Sequence, residues 1–523
     1  MYSVDYSAEL RRILLLPRRT TPPEGADQLS SVLGTGKLRP IQEWALAELH
    51  LCRGLLGIIS VGGGKTLISY LAPRMVGAER PLLLIPAKLR DKTHRDFYEL
   101  RENWETTKEP SILSYELLGR KQSKDYLEEL QPDLIITDEA HRLKNCRAAV
   151  TRRVGRYMAK HPETMFCALS GTITKRSLMD FAHIAQWCLG DGAPVPLTRY
   201  DLEQWSQALD EENQWRECRR EPGALLDLGH PDVREGFRRR LVETPGVVAS
   251  TGSGVDASLV ITRWPISIPP KVLDALDHLD KYWETPDGQP LISAADLWRH
   301  AREISLGFWY RWEPEPPLWW LEPRRVWAAF ARGVLARSRT LDSEAQVAEK
   351  HSTSWEYLDW IRVKDHYAPT TVAEWITDYF VVKAKEWGDT HDGIIWVEHR
   401  EIGKALQRLG IPYYAKMGKD CRGRDIDDAT GTLAASVAAN SEGRNLQRYS
   451  ENLILACPTT GDRWEQLLGR THREGQIADE VSVEVHLGCR QSELGFEQAV
   501  SDARYQRGVL GAAQKLLLAD IVV

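Results

Sequence analysis

Apolar positions along this chain gather into two series of short blocks, separated by a long stretch in which the pattern lapses. In the first series the blocks are Leu55 to Ser60, Leu82 to Ile85, Leu134 to Thr137 and Met165 to Leu169, with a shorter segment at Ser111 to Tyr115. Continuous apolar blocks of this length read as strands buried on both faces. The stretches between them, such as 65–75 and PAKLRDKTHRDFYEL after Pro86, have helical periodicity. In the second series, Gly393 to Val397, Pro412 to Tyr414, Leu453 to Ala456 and the alternating Glu480 to Leu487 predict strands. VAEWITDYFVVKAKEW, 401–409 and WEQLLGRTHR predict the helices among them. Strands alternating with helices imply parallel sheets covered on both faces, an α/β protein of two lobes.

Residues 191–370 carry few strand signals and twelve of the 19 tryptophans, with arginines interleaved at 238–240 and 324–325. They predict a mostly helical insertion, with Glu313 to Pro317 a loop or polyproline segment. Most of its tryptophans are expected in a helical core, because each buries a large area, with Trp319 or Trp320 as candidates for stacking on bases. Residues 1–35, with PRRTTPPEG, predict a leader of loop and short helix. The expected divisions are thus 1–35, 36–190, 191–370 and 371–523.

Composition narrows this little. With 42% hydrophobic and 27% charged residues the chain is globular. No apolar run approaches the ~18–20 residues of a membrane span, and Ile13 to Leu16 is too short for a signal-peptide core. The eight cysteines contain no CxxC pair, so neither zinc nor redox chemistry is suggested and a reducing, cytoplasmic compartment is expected. A net charge of −6 argues against a protein that coats nucleic acid, but a local basic groove depends only on the field at the site.

The chemistry lies at the ends of the predicted strands. Gly62, Gly63, Gly64, Lys65 and Thr66 stand between a strand and a helix, the context of a phosphate-cradling loop. Glycines let backbone N–H groups approach phosphate oxygens, and the helix N-terminus adds partial positive charge. Lys65 would reach the terminal phosphates of ATP, and the Thr66 hydroxyl would ligate Mg2+. Ile59 stands where the strict pattern has its first glycine. Asp138 and Glu139 end the Leu134 block, where two carboxylates are costly without a partner. Asp138 would hold the magnesium and Glu139 would polarise the attacking water. A helix N-cap also explains one carboxylate, but not the matching glycine loop. Gln466, Arg470 and Arg473, at i, i+4 and i+7, would share one helix face and suit a phosphate; a solvated, alternately charged face is the plainer reading of that stretch alone.

These motifs together resemble superfamily 2 helicases, specifically the Swi/Snf-type DNA translocases. LRPIQEWAL (38–46) is similar to the family's adenine-reading glutamine motif, which implies Gln42 against the base. SVGGGKT, LLLIPAKLRDKTHRDF, DEAHRLKN and ALSGTITKRSLMD resemble motifs I, Ia, II and III; GIIWVEHREIGKAL, NSEGRNLQ and QLLGRTHREGQ resemble motifs IV, V and VI. The resemblance spans roughly 36–190 and 371–490. It implies two RecA-like lobes closing on ATP, with Gln466, Arg470 and Arg473 completing the site from the second. It also implies nucleic-acid or coupling roles for Lys88, Ser170, Thr172, Gly443 and Asn445. Ile173 replaces a proline common in motif III, and Asn440 to Arg444 is less glycine-rich than the usual motif V. The tryptophan-rich wording resembles compact phage-encoded members, which implies a host cytoplasm. The expected function is ATP-driven movement along DNA, duplex rather than single-stranded, with RNA a lesser expectation. Two alternatives stand: a strand-separating helicase, or a nucleic-acid-binding or partner-docking protein whose ATPase has decayed.

Overall fold

The structure, a computed structural model, describes the chain except residues 1–7, 61, 147, 172, 175–176, 211–231, 251–254, 256, 338–343, 369 and 442. The first series of apolar blocks forms β1 (Leu55–Ile58), β2 (Pro81–Ile85), β3 (Ser111–Ser114), β4 (Leu134–Asp138) and β5 (Met165–Ser170). Together with β6 (Val247–Ala249) they make one six-stranded parallel sheet in the order β3-β2-β4-β5-β1-β6. Because β5 lies between β1 and β4, its register places Ser170 opposite Ile58 and Leu169 opposite Asp138. The loops after these three strands therefore open side by side at the carboxyl edge, where α/β sheets take their ligands.

The second sheet has seven parallel strands, in the order β11-β12-β10-β13-β14-β7-β15. These are β7 (Ser258–Arg263), β10 (Gly393–Val397), β11 (Tyr413–Tyr414), β12 (Leu433–Ser436), β13 (Glu451–Ile454), β14 (Glu480–Val485) and β15 (Asp520–Val522). Two RecA-like lobes with a helical region between them are thus present.

The boundaries depart from the expected ones. β6 and β7 both come from 191–370, and each joins a lobe's sheet. The leader is part of the first lobe: Leu10 and Ile13 of helix Ala8–Leu15 lie in its core, and Arg12 donates to the carbonyls of Asp191, Ala193 and Val195 at 2.6, 2.9 and 2.6 Å. The first lobe thus runs from residue 8 to about 250. β6, three residues long, has no periodicity of its own, and β7, six residues long, is fixed in its sheet by pairing with β14 and β15.

The expected helix at 371 also begins later. β9 (Thr370–Trp375) pairs antiparallel with β8 (Phe308–Glu313), and the helix is Tyr379–Thr390. Cross-strand packing decides this, with the Phe308 and Trp375 rings 5.2 Å apart. The tryptophans of 191–370 serve three different cores. Trp205 packs into the first lobe, Trp264 into the second, and Trp327 into a small satellite of helices Leu318–Arg337, Glu344–Lys350 and Trp355–Val363. Trp320 is buried, its indole donating to the Lys364 carbonyl at 3.2 Å, and is unavailable for stacking on a base. Trp319 is exposed, and Trp215 lies outside the described residues. Among the described residues no helix is long and apolar enough to cross a membrane.

Candidate functional site

The first-lobe wall of the site begins where β1 ends. The loop after it leads into helix Lys65–Val76 through Gly64, whose φ of +77° is left-handed. A Cβ on Gly64 would lie 1.9 Å from Gln42 Nε2, so both backbone conformation and space demand glycine. Gln42 is buried; its Oε1 accepts from Arg39 N–H at 2.9 Å and its Nε2 donates to the Gly64 carbonyl at 3.3 Å. It braces the loop from behind. Lys65 Nζ donates to the carbonyls of Ile59 (3.1 Å) and Ser60 (3.3 Å), folded over the loop.

Asp138 and Glu139 follow on the floor. Glu139 has φ +58° and ψ +50°, a left-handed conformation that costs a non-glycine residue on the order of 1 kcal/mol and is typical of functional sites. The surrounding bonds hold it there. Tyr115 Oη donates to the Asp138 carbonyl at 2.7 Å, Asp138 Oδ1 accepts from Glu139 N–H at 3.0 Å, and His141 Nδ1 lies 3.3 Å from Glu139 Oε2 and 3.2 Å from Ser170 Oγ. Ser170 thereby links the β4 and β5 ends. Burial and the adjacent Glu139 charge push Asp138 up to about 6. Burial acts on Glu139 in the same sense, but the His141 hydrogen bond and the charges of Lys65 and Arg470 outweigh it and hold that carboxyl low.

The second-lobe wall differs from the expected helical face. Helix Gly461–Leu468 stops at Gly469, and Arg470 N–H turns back to the Leu467 carbonyl at 3.0 Å. Arg470 and Arg473 therefore reach the cleft from tight turns, while Gln466 is buried in the helix and does not line it. The Gln466 carbonyl takes Arg470 Nε at 2.9 Å, and the Arg444 carbonyl takes its Nη1 at 3.1 Å. Arg473 Nη1 donates to Asn445 Oδ1 at 2.6 Å, and its Nε is buried with no hydrogen-bond partner among the described residues. Gly443 (φ +74°) meets the first lobe: a Cβ there would lie 2.3 Å from Leu89 Cδ2.

The walls enclose a cleft of about 210 Å³. Gly62, Gly64, Lys65, Thr66, Asp138 and Glu139 line it from one lobe; Gly443, Asn445, Arg470 and Arg473 line it from the other. Gly63 stands behind this lining, its Cβ position 2.4 Å from Ile59 Cγ2. Lys88 is exposed and outside the cleft, and Thr172 lies outside the described residues. Lys92 also lines the cleft and pairs with Asp96 at 2.6 Å. Arg39 was missed: it ion-pairs with Glu474 across the seam and donates through Nη1 to the Gly62 carbonyl at 2.5 Å. Its place three residues before Gln42, beside the glutamine motif, was the available signal.

These donors fit a polyphosphate with a hard cation. The unpartnered Arg473 Nε is an anion donor waiting inside the seam. Two adjacent carboxylates, one pushed up by burial and by the charge of the other, are what a divalent cation relieves. Thr66 and Asp138 would hold such an ion, and Lys65 and the glycine-loop amides would hold the phosphates. Fold and site thus define a two-lobed α/β protein with an anion-suited cleft at its seam. No protein-family model matches the chain, and no curated protein matches it either.

Proposed function

We propose that this chain is an ATP-dependent motor that hydrolyses ATP between its lobes and moves along DNA, duplex rather than single-stranded, in the manner of the Swi/Snf-type translocases its motifs resemble. The observation that carries this reading is the convergence of Lys65, Thr66, Asp138 and Glu139 with Arg470 and Arg473 in one cleft between lobes. Lys65 and the loop amides bind the β- and γ-phosphates. Glu139 orients the water that attacks the γ-phosphorus, and the bond to the bridging oxygen breaks to release phosphate and ADP. Arg470 and Arg473 offset the negative charge that develops. Magnesium, when bound at Thr66 and Asp138, supplies Lewis-acid stabilisation of the phosphate oxygens. Because the arginines belong to the other lobe, turnover and lobe closure are linked, which is how hydrolysis becomes movement. The seven described cysteines are all unpaired thiols, in keeping with a cytoplasmic setting.

The test is ATP hydrolysis at fixed low salt with no nucleic acid, duplex DNA, single-stranded DNA or RNA, using Lys65→Ala as the blank. Salt is held constant because phosphate-dominated binding falls steeply with it. Strong stimulation by duplex DNA is the expected result. Stimulation mainly by single strands would replace translocation with strand separation. Rates equal to the blank throughout would leave only a binding role.

A further inference from the structure

The C-terminal segment crosses the seam and returns beside the cleft. Helix Arg490–Leu510 lies on the second-lobe core through Phe496, Ala499 and Ala503, then inserts Tyr505, Val509 and Leu510 into the first-lobe core. Tyr505 Oη donates to Asp210 Oδ1 at 3.0 Å, and Asp210 Oδ2 also accepts from Ser177 Oγ at 2.5 Å. Gly511, with φ +70°, reverses the chain.

The next residues touch both walls of the site. Ala513 N–H donates to the Ser250 carbonyl at 3.3 Å. The Ser250 hydroxyl accepts from Ser60 N–H at 3.2 Å, and the Ser60 carbonyl accepts from Lys65 Nζ at 3.3 Å. On the other side, Lys515 is only 3% exposed. Its backbone N–H donates to Glu465 Oε2 at 2.7 Å, and its ammonium lies 3.3 Å from His472 Nδ1. His472 Nε2 is 2.9 Å from the Ala257 carbonyl, which can only accept. Nε2 therefore carries the ring proton, and Nδ1 offers its lone pair to the ammonium. Between the two contacts, Gln514 is buried, with neither amide atom bonded among the described residues.

A buried ammonium is costly unless it is paired, and apolar contacts such as those of Leu516 would suffice to dock this segment. The charge stands instead among Glu465, Arg470 and Arg473, on the element that supplies the second wall. We propose that Lys515 is a positioning residue of the cleft: held between His472 and Glu465, it sets the turn that carries Arg470 and Arg473 toward Lys65 and Glu139. This rests on the reading of the cleft as an ATP-hydrolysing site. The strap of residues 511–515 contacts the glycine loop through Ser250 and the arginine turn through His472, so it registers one wall against the other. Lys515 does not line the cleft, so its influence falls on the chemical step and not on nucleotide affinity.

The experiment is ATP hydrolysis by the full chain, with kcat and KM measured for the parent, Lys65→Ala, Lys515→Met and Lys515→Arg, each checked by thermal melting. Lys515→Met is expected to lower kcat by about tenfold or more with KM for ATP within about threefold of the parent, and Lys515→Arg to restore much of that loss. If Lys515→Met does not fold, His472→Phe breaks the same contact from the other side and is expected to show the same kcat loss. An unchanged kcat in a folded variant, or a rise in KM alone, overturns the proposal. A parent no faster than Lys65→Ala overturns the hydrolytic reading itself, and this proposal with it; that result is read from the parent before any Lys515 variant.

Discussion

The two walls of the cleft are built by different means. On the first lobe, Lys65, Thr66, Asp138 and Glu139 sit at or just beyond the ends of β1 and β4, which flank β5, and Ile59 N–H bonds the Ser170 carbonyl at 3.1 Å while His141 spans from Glu139 to Ser170. Sheet register alone aligns these groups. On the second lobe, Arg470, Arg473 and Asn445 lie on turns, held by the carbonyls of Gln466 and Arg444 and by one another. Their distance from the glycine loop depends on how the lobes meet, through Gly443 against Leu89 and Arg39 against Glu474. The difference teaches that the wall proposed to hold phosphate and metal is preorganised, whereas the wall proposed to complete catalysis is assembled by lobe contact.

The largest expected effect breaks the preorganised wall. Glu139→Gln or Asp138→Asn should lower kcat for ATP by about 10⁴-fold, the loss expected when several kcal/mol of transition-state stabilisation is removed. Asp138→Asn carries a second, opposite signature. The folded-state value of Asp138 lies above 3.8, at about 6, so its protonated form favours the fold. That contribution is complete below the free value and is lost as pH rises through about 6. Asp138→Asn should therefore melt higher than the parent at pH 8 without magnesium. Melting curves on the magnesium-free proteins measure this.

Breaking the assembled wall should cost less. Arg473→Ala is expected to reduce kcat by about 10³-fold, within the range for an arginine supplied across a cleft, while nucleotide binding followed by titration changes little. The smallest effect belongs to the seam. Arg39 and Glu474 are partly exposed, so Arg39→Ala should lower kcat only about threefold, with the deficit shrinking as salt screens the pair. An Arg39→Ala defect as large as that of Arg473→Ala would show that the seam, and not the arginine itself, governs the second wall.

How far the chain can be read without its structure follows the same division. The glycine–lysine–threonine loop, the carboxylate pair and the long apolar strands were legible because each is made of contiguous residues, whose local chemistry dictates backbone shape. The two α/β lobes followed from those strands. Illegible were β6, β7 and β15, each depending on an adjacent strand, and the place of residues 8–35 in the first-lobe core. Gln466, Arg470 and Arg473 read as one helical face, because helical spacing gives no account of the turn at Gly469. Nothing in the local sequence marks Arg39, Lys92 or Lys515 as neighbours of the cleft. The sequence by itself determined where the candidate phosphate and metal groups stand, at a strand end and a glycine loop, since spacing there is a local property. Only the tertiary structure decided which arginines and lysines face them, because a charged side chain acquires its neighbours from the packing of segments hundreds of residues apart.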